Sequence, residues 1–303
     1  MLACFGRLLK TGSVIPGFQS ERIDANGVSI NVAWAGDGAP VLMLHGYPQN
    51  HAMWHRIAPM LAQDHTVVCP DLRGYGDSDK PPGGGDHSAY SKRTMATDQL
   101  GVMRALGFDR FAVVGHDRGA RVSLRMALDH PQAVDRLAIL DIVPTRTIYA
   151  TVDRVRATTV WRYFFLIQPA PLPERLIAAD PAFYLEWTLE EWSGDRALLA
   201  DEAVAEYRRC FNGDTIDATC EDYRAGASVD LTDDEADQST LLACPVLVLW
   251  SRSGIGAAYD VPGIWRERAP RMRGRALDAG HFLAEERPEV TGRELTSFLA
   301  EPG

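Results

Sequence analysis

Val113-Val114-Gly115-His116-Asp117-Arg118-Gly119-Ala120-Arg121 is the stretch that decides how the chain is read. The apolar run Phe111 to Val114 predicts a short buried strand, and helical spacing follows from Arg118 to about His130. Between them lies Gly-x-Asp-x-Gly. The glycines permit a sharp strand-to-helix turn that pushes the central side chain into the open. A serine in that place would be the nucleophile of an acyl-transfer enzyme; here the residue is Asp117. A carboxylate attacking an ester or amide gives a mixed anhydride, a poor hydrolytic intermediate. A carboxylate attacking an sp3 carbon gives an alkyl ester that water can cleave. Asp117 therefore points to displacement at carbon, with a halide or an epoxide oxygen leaving. The plainer reading of the same residue is a helix N-cap.

Working outward, buried strands alternate with helices. Val41 to Leu44 ends in His45-Gly46-Tyr47-Pro48, Thr66 to Cys69 in an irregular turn-rich stretch, and Leu137 to Leu140 in Asp141. A helix is expected over about Met53 to Ala62 and another over Ser91 to Leu106, while residues 21–35 read as a hairpin around Asn26-Gly27. Uniformly apolar strands separated by helices imply a mostly parallel sheet covered on both faces. From about Pro144 to Thr240 the pattern breaks into Trp, Tyr and helix formers, read as an inserted helical cap; its acidic run Asp230 to Asp237 reads as a solvated face. The sheet resumes at Pro245 to Trp250, a last strand precedes Asp278-Ala279-Gly280-His281-Phe282, and Val290 to Leu299 closes as a helix. The expected division is a core of residues 1–143 and 241–303 around a cap of 144–240.

Sites in open α/β sheets form where the strands end. Asp117, Asp141 and His281 all fall there, in the order nucleophile, acid, histidine. His281 would be the general base on the water that hydrolyses the ester. Asp141 is favoured over Asp260 as the acid that orients it, because Ser251-Arg252-Ser253-Gly254 offers no acid near its strand end. Backbone N–H groups of Tyr47 and Arg118 would hold charge on an Asp117 oxygen. Arg118 and Arg121, one helical turn apart at a helix start, suit a substrate carboxylate. The plainer reading is that both offset Asp117, Asp129 or surface acids. Tyr47, Trp54, Tyr75, Trp192 and Trp250 are candidates for the pocket wall and are each readable as core.

Composition narrows the field. With 303 residues and 46% apolar content, one large core with an insertion is expected. No run of eighteen apolar residues exists, Met1 to Lys10 lacks the pattern of a secretory signal, and a net charge of −10 argues against nucleic acid. Five cysteines, Cys4, Cys69, Cys210, Cys220 and Cys244, are odd in number and lack CxxC spacing, so a cytoplasmic protein without a metal site is expected.

Gly-His-Asp-Arg-Gly-Ala-Arg (115–121), Leu-Asp-Ile-Val-Pro-Thr (140–145), Gln-Pro-Ala-Pro-Leu-Pro-Glu (168–174), Cys-Glu-Asp-Tyr-Arg-Ala-Gly-Ala (220–227) and Gly-His-Phe-Leu (280–283) resemble the haloacetate (fluoroacetate) dehalogenase family of the α/β-hydrolase fold. The resemblance runs from about Pro16 through the cap. It implies an Asp117 nucleophile, substrate arginines at Arg118 and Arg121, an acid at Asp141, a base at His281, a homodimer, and no cofactor or metal. Its substrate would be a small anion, a haloacetate converted to glycolate. Members that cleave the C–F bond carry a cap His-Trp pair that, with a cap Tyr, holds the leaving fluoride. The Tyr is Tyr223, but the pair reads Arg162-Tyr163. Both are hydrogen-bond donors, so a halide can still be held. Fluoride needs close, well-placed donors, and the departure points away from efficient defluorination. It also admits an alternative, an epoxide hydrolase in which Tyr163 and Tyr223 protonate the epoxide oxygen. A ligand-binding, non-enzymatic relative would be expected to have lost Asp117 or His281, and both are present.

Overall fold

Eight strands form one sheet in the order β1-β2-β4-β3-β5-β6-β7-β8 in a computed structural model that describes residues 13–301. The reading of Met1 to Lys10 and Cys4 lie outside the described residues. The strands are β1 (Gln19–Ala25), β2 (Val28–Ala35), β3 (Ala39–Leu44), β4 (His65–Pro70), β5 (Phe111–His116), β6 (Val134–Leu140), β7 (Val246–Ser251) and β8 (Arg273–Leu277). The β1–β2 hairpin turns at Asn26-Gly27 and pairs antiparallel with β4; every pairing from β4 to β8 is parallel. The central strands β3, β5 and β6 are buried almost throughout, as their continuous Val, Leu and Ile runs require when helices cover both faces.

Between β6 and β7 the chain is helical, from Thr145 to Ala236, with no strand among the described residues. Two expectations need correction. The helix over Met53 to Ala62 is broken into a 3-10 turn, His51–Trp54, and a single turn, Ala58–Leu61. Asn50 caps the first through Ala52 N–H, the Asp71 carboxylate ties down His51 N–H at 2.8 Å, and Pro59 suits only the start of the second. The acidic run is a solvated face only in part, with Thr232 and Glu235 exposed. In the helix Val229–Ala236, Asp230 and Asp234 are buried one turn apart. Asp230 accepts from Lys92 N–H at 2.7 Å, and Asp234 pairs with Arg268 at 2.6 Å and accepts from Arg146 N–H at 2.8 Å. Acids at i and i+4 share a face, and that face meets the core's cations.

No described helix is long and apolar enough to cross a membrane. Cys69, Cys210, Cys220 and Cys244 are all free thiols.

Candidate active site

The turn after β5 is as sharp as its glycines predict. Asp117 has φ +46°, a left-handed conformation costly for a residue with a Cβ. Side chains would not fit around it. A Cβ on Gly115 would lie 2.6 Å from Ala120 Cα, on Gly119 2.3 Å from the His45 carbonyl, and on Gly46 2.4 Å from Asp117 Cβ. The helix Asp117–Asp129 thus starts directly under the β3 loop, and Tyr47 N–H donates to Asp117 Oδ1 at 2.9 Å. That leaves Oδ2 toward His281, whose Nε2 is 3.8 Å away.

His281 Nδ1 lies 2.7 Å from Asp141 Oδ2. Asp141, also left-handed at φ +55°, receives Ser251 N–H at 2.6 Å and the Ser251 hydroxyl at 2.8 Å on its other oxygen. Asp260 sits elsewhere, capping the helix Val261–Arg266 through Gly263 N–H. Burial lowers the proton affinity of the His281 imidazole, but its bond to Asp141 and the charges of Asp141 and Asp117 outweigh burial and raise its pKa above the ordinary value. Burial pushes the Asp117 carboxyl up, yet the charges of His281 and Arg118 and the Tyr47 N–H bond hold it below the usual carboxylate value. His116, pulled down to about 4 by burial and by His281, stays neutral and donates from Nε2 to the His281 carbonyl at 2.9 Å.

The loop carrying His281 is fastened on both sides. The Glu286 carboxylate receives N–H groups of Gly280 at 2.8 Å, Phe282 at 3.1 Å and, from the cap, Gly194 at 2.8 Å. His281 N–H donates to the Trp192 carbonyl at 2.8 Å, and the Trp192 ring meets the imidazole edge-on at 5.0 Å. Ser251, Glu286 and the Trp192 backbone were not in the sequence reading; their roles arise from pairing between distant loops.

Both arginines have partners. Arg118, fully buried, is held by Asp222 through Nε at 2.8 Å and Nη2 at 2.9 Å, and its guanidinium lies 4.2 Å from the Tyr223 ring centre. Asp222 also accepts from Tyr75 at 2.6 Å and pairs with buried Lys92, which pairs in turn with Asp230. Burial pushes the Asp222 carboxyl up, but Arg118 and Lys92 hold it far below the usual range. Arg118 is therefore neutralised by an acid that directly precedes Tyr223 in sequence. Arg121 differs. Its partners are neutral, Thr145 Oγ1 at 2.8 Å and Tyr163 Oη at 2.8 Å, and its Nε has none. Because Tyr163 Oη accepts from Arg121, its own proton is free to donate.

A cavity of about 280 Å³ opens onto Asp117, Asp141 and His281. Arg162, Tyr163, Trp192 and Glu191 line it from the cap, and Ile255 and Ala258 from the helix after β7. Arg118, Arg121 and Tyr223 are not on its wall; Tyr163 stands between the cavity and Arg121. Tyr223 lies behind, its ring 5.3 Å from that of Tyr163 and its fully buried hydroxyl without a partner. Arg162 forms an ion pair with Glu191 and lies between Trp161 and Trp192, 4.4 and 5.0 Å from their rings. Of the aromatic wall candidates only Trp192 lines the cavity; Tyr47, Trp54 and Tyr75 are core, and Trp250 packs against it. Among the described residues no group of three or more His, Cys, Asp or Glu could hold a metal ion.

Residues 39–288 match the family model described as alpha/beta hydrolase fold. Over 288 residues the chain is 45% identical to a fluoroacetate dehalogenase of Burkholderia sp., covering 94% of this chain and 95% of that protein. Over 280 residues it is 34% identical to a soluble epoxide hydrolase of Corynebacterium sp. (strain C12), covering 91% and 95%. The crystal structure of ALR0039 from Nostoc sp. PCC 7120 superposes with a TM-score of 0.93 at 53% identity, covering 94% of this chain and 99% of that one.

Proposed function

The chain belongs to the α/β-hydrolase fold and within it to the haloacetate (fluoroacetate) dehalogenase family, and on that footing we propose that it hydrolyses the carbon–halogen bond of a short 2-haloacid through an ester on Asp117. The observation that carries this reading is an aspartate, not a serine, on the turn after β5, with the imidazole of His281 3.8 Å from its outer oxygen. Asp117 Oδ2 attacks the α-carbon in line. The C–O bond forms as the C–halogen bond breaks, and the halide leaves with the electron pair toward the cavity-lining donors Arg162 and Tyr163, with Tyr223 behind Tyr163. The substrate carboxylate is drawn to the Arg118–Arg121 side. Arg121 supplies the attraction, since Asp222 cancels Arg118. His281 Nε2 then takes a proton from water, and the hydroxide adds to the Asp117 carbonyl carbon while Tyr47 N–H holds the developing oxyanion. Collapse breaks the bond from the Asp117 carbonyl carbon to the ester oxygen, which takes the proton held by His281 and leaves as the hydroxyl of the 2-hydroxy acid, glycolate from a haloacetate. The oxygen from water stays in the Asp117 carboxyl, which loses its proton to solvent.

A second reading is supported by one feature. Tyr163, with its proton free, and Tyr223, with a buried hydroxyl without a partner, could protonate an epoxide oxygen while Asp117 opens the ring. Halide release from fluoroacetate, chloroacetate and bromoacetate, run beside an uncharged epoxide, separates the two. Dehalogenation predicts chloride and bromide, with little fluoride because Arg162 and Tyr163 replace the usual pair; epoxide opening without halide would transfer the assignment. The covalent step is tested with His281→Asn, expected to accumulate the ester on Asp117. Intact-protein mass spectrometry showing no adduct with an accepted substrate would sink the mechanism.

A further inference from the structure

The cavity is larger than the substrate considered so far and is apolar over much of its wall. From Asp117 and His281 it extends to a wall made by Ile148, Val160, Ile255 and Ala258, contributed by the helix Thr145–Ala150, a cap joint and the helix Ile255–Ala258. Val160, Ile255 and Ala258 are only partly buried, so apolar surface is left facing the void. Ser251 fixes that wall relative to the triad. Its hydroxyl donates to Asp141 and accepts Ile255 N–H at 3.1 Å. The charged side chains on the cavity are the triad at one end and the Arg162–Glu191 pair, which balance each other.

A chloroacetate has five heavy atoms, and its α-carbon carries only hydrogens besides chlorine and carboxylate. The cavity of about 280 Å³ exceeds what five heavy atoms fill, so such a substrate leaves the apolar wall uncovered. We propose, resting on the displacement reading above, that the site is built for 2-haloacids bearing an apolar alkyl or aryl group on the α-carbon, seated on the wall of Ile148, Val160, Ile255 and Ala258. Each methylene moved from water onto that wall contributes ~0.8 kcal/mol, about fourfold in kcat/KM.

Halide release is measured for chloroacetate, 2-chloropropionate, 2-chlorobutyrate and 2-chlorovalerate with the full chain, together with calorimetric affinity for the unhalogenated acids from acetate to valerate. The expected result is kcat/KM rising about fourfold per carbon from 2-chloropropionate to 2-chlorovalerate, whose reacting carbons are equally substituted, and affinity rising in parallel from acetate to valerate. Ala258→Phe, which fills the seat, should lower the 2-chlorovalerate to chloroacetate ratio by about tenfold. Halide release with kcat/KM flat or falling from 2-chloropropionate to 2-chlorovalerate would overturn the seat and leave the displacement reading standing. If no acid releases halide, the displacement reading fails. The seat is then judged on affinity alone: a rise with chain length keeps it, and a flat series overturns it.

Discussion

Asp117 and His281 are shifted in opposite directions, and this separates the two halves of the reaction in pH. The Asp117 carboxyl lies below its ordinary 3.8, so the nucleophile stays ionised throughout mild acid. The His281 imidazole lies above its ordinary 6.5, so as pH falls through that raised value it becomes protonated and ceases to be a base. Ester formation should therefore persist at about pH 6 while ester hydrolysis slows. Rapid quench with mass spectrometry should find more ester on Asp117 on the acid side of the pH–rate profile than on the alkaline side. Slowed turnover at the lower pH without accumulation would assign the limiting ionisation to some other group. The same scale explains what the sequence could and could not reveal. Asp117 and Asp141 directly follow apolar strands and His281 lies in the loop after the last strand, so all three were legible at one sheet edge. Ser251, Asp222 and Glu286 were not, because each acts through a partner brought from at least 104 residues away or through backbone N–H groups that carry no residue identity.

At the scale of elements, the helix Gly213–Ala227 and the helix Val229–Ala236 are riveted to the core by Asp222, Asp230 and Asp234 on Arg118, Lys92 and Arg268. Removing one acid leaves buried cations unpaired. Asp222→Asn should lower the unfolding free energy by about 3–5 kcal/mol, and adding Lys92→Met should return part of the loss. Chemical denaturation of the single and double variants checks this; a loss under about 1 kcal/mol would mean the pair behaves as a solvated surface bridge. Strands and long helices were legible from apolar runs, because periodicity reports burial directly. The acidic helix was misread for the same reason. Charge signals solvent unless the opposing cations are known, and Lys92 and Arg268 lie far away in the chain. The split of residues 51–62 turned on Asp71, a partner that local pattern cannot see.

For the whole molecule, the buried carboxyl of Glu285 joins three segments. It accepts from Tyr207 of the cap at 3.0 Å and from Gln49 of the β3 loop, and it lies on the short helix Leu283–Glu286. Burial pushes its pKa from 4.5 up to about 7. The folded form thus holds the proton more tightly than the unfolded chain. Stability from this group is present below about pH 4.5 and is lost as pH rises through about 7, by on the order of 3 kcal/mol. Glu285→Gln should flatten that dependence and be the more stable form at about pH 8, as read from denaturation midpoints at two pH values. An unchanged pH dependence would show that Glu285 is not its source. The neighbouring Glu286 has a mechanical consequence. One carboxylate grips both the cap turn at Gly194 and the loop on either side of His281, and the Trp192 carbonyl grips His281 itself. Lifting the cap at this turn therefore unseats the imidazole as well. On the mechanism proposed above, a molecule opened at that turn would lose the base that cuts the ester, so hydrolysis would proceed only with the turn seated, like a press that runs only with its guard down.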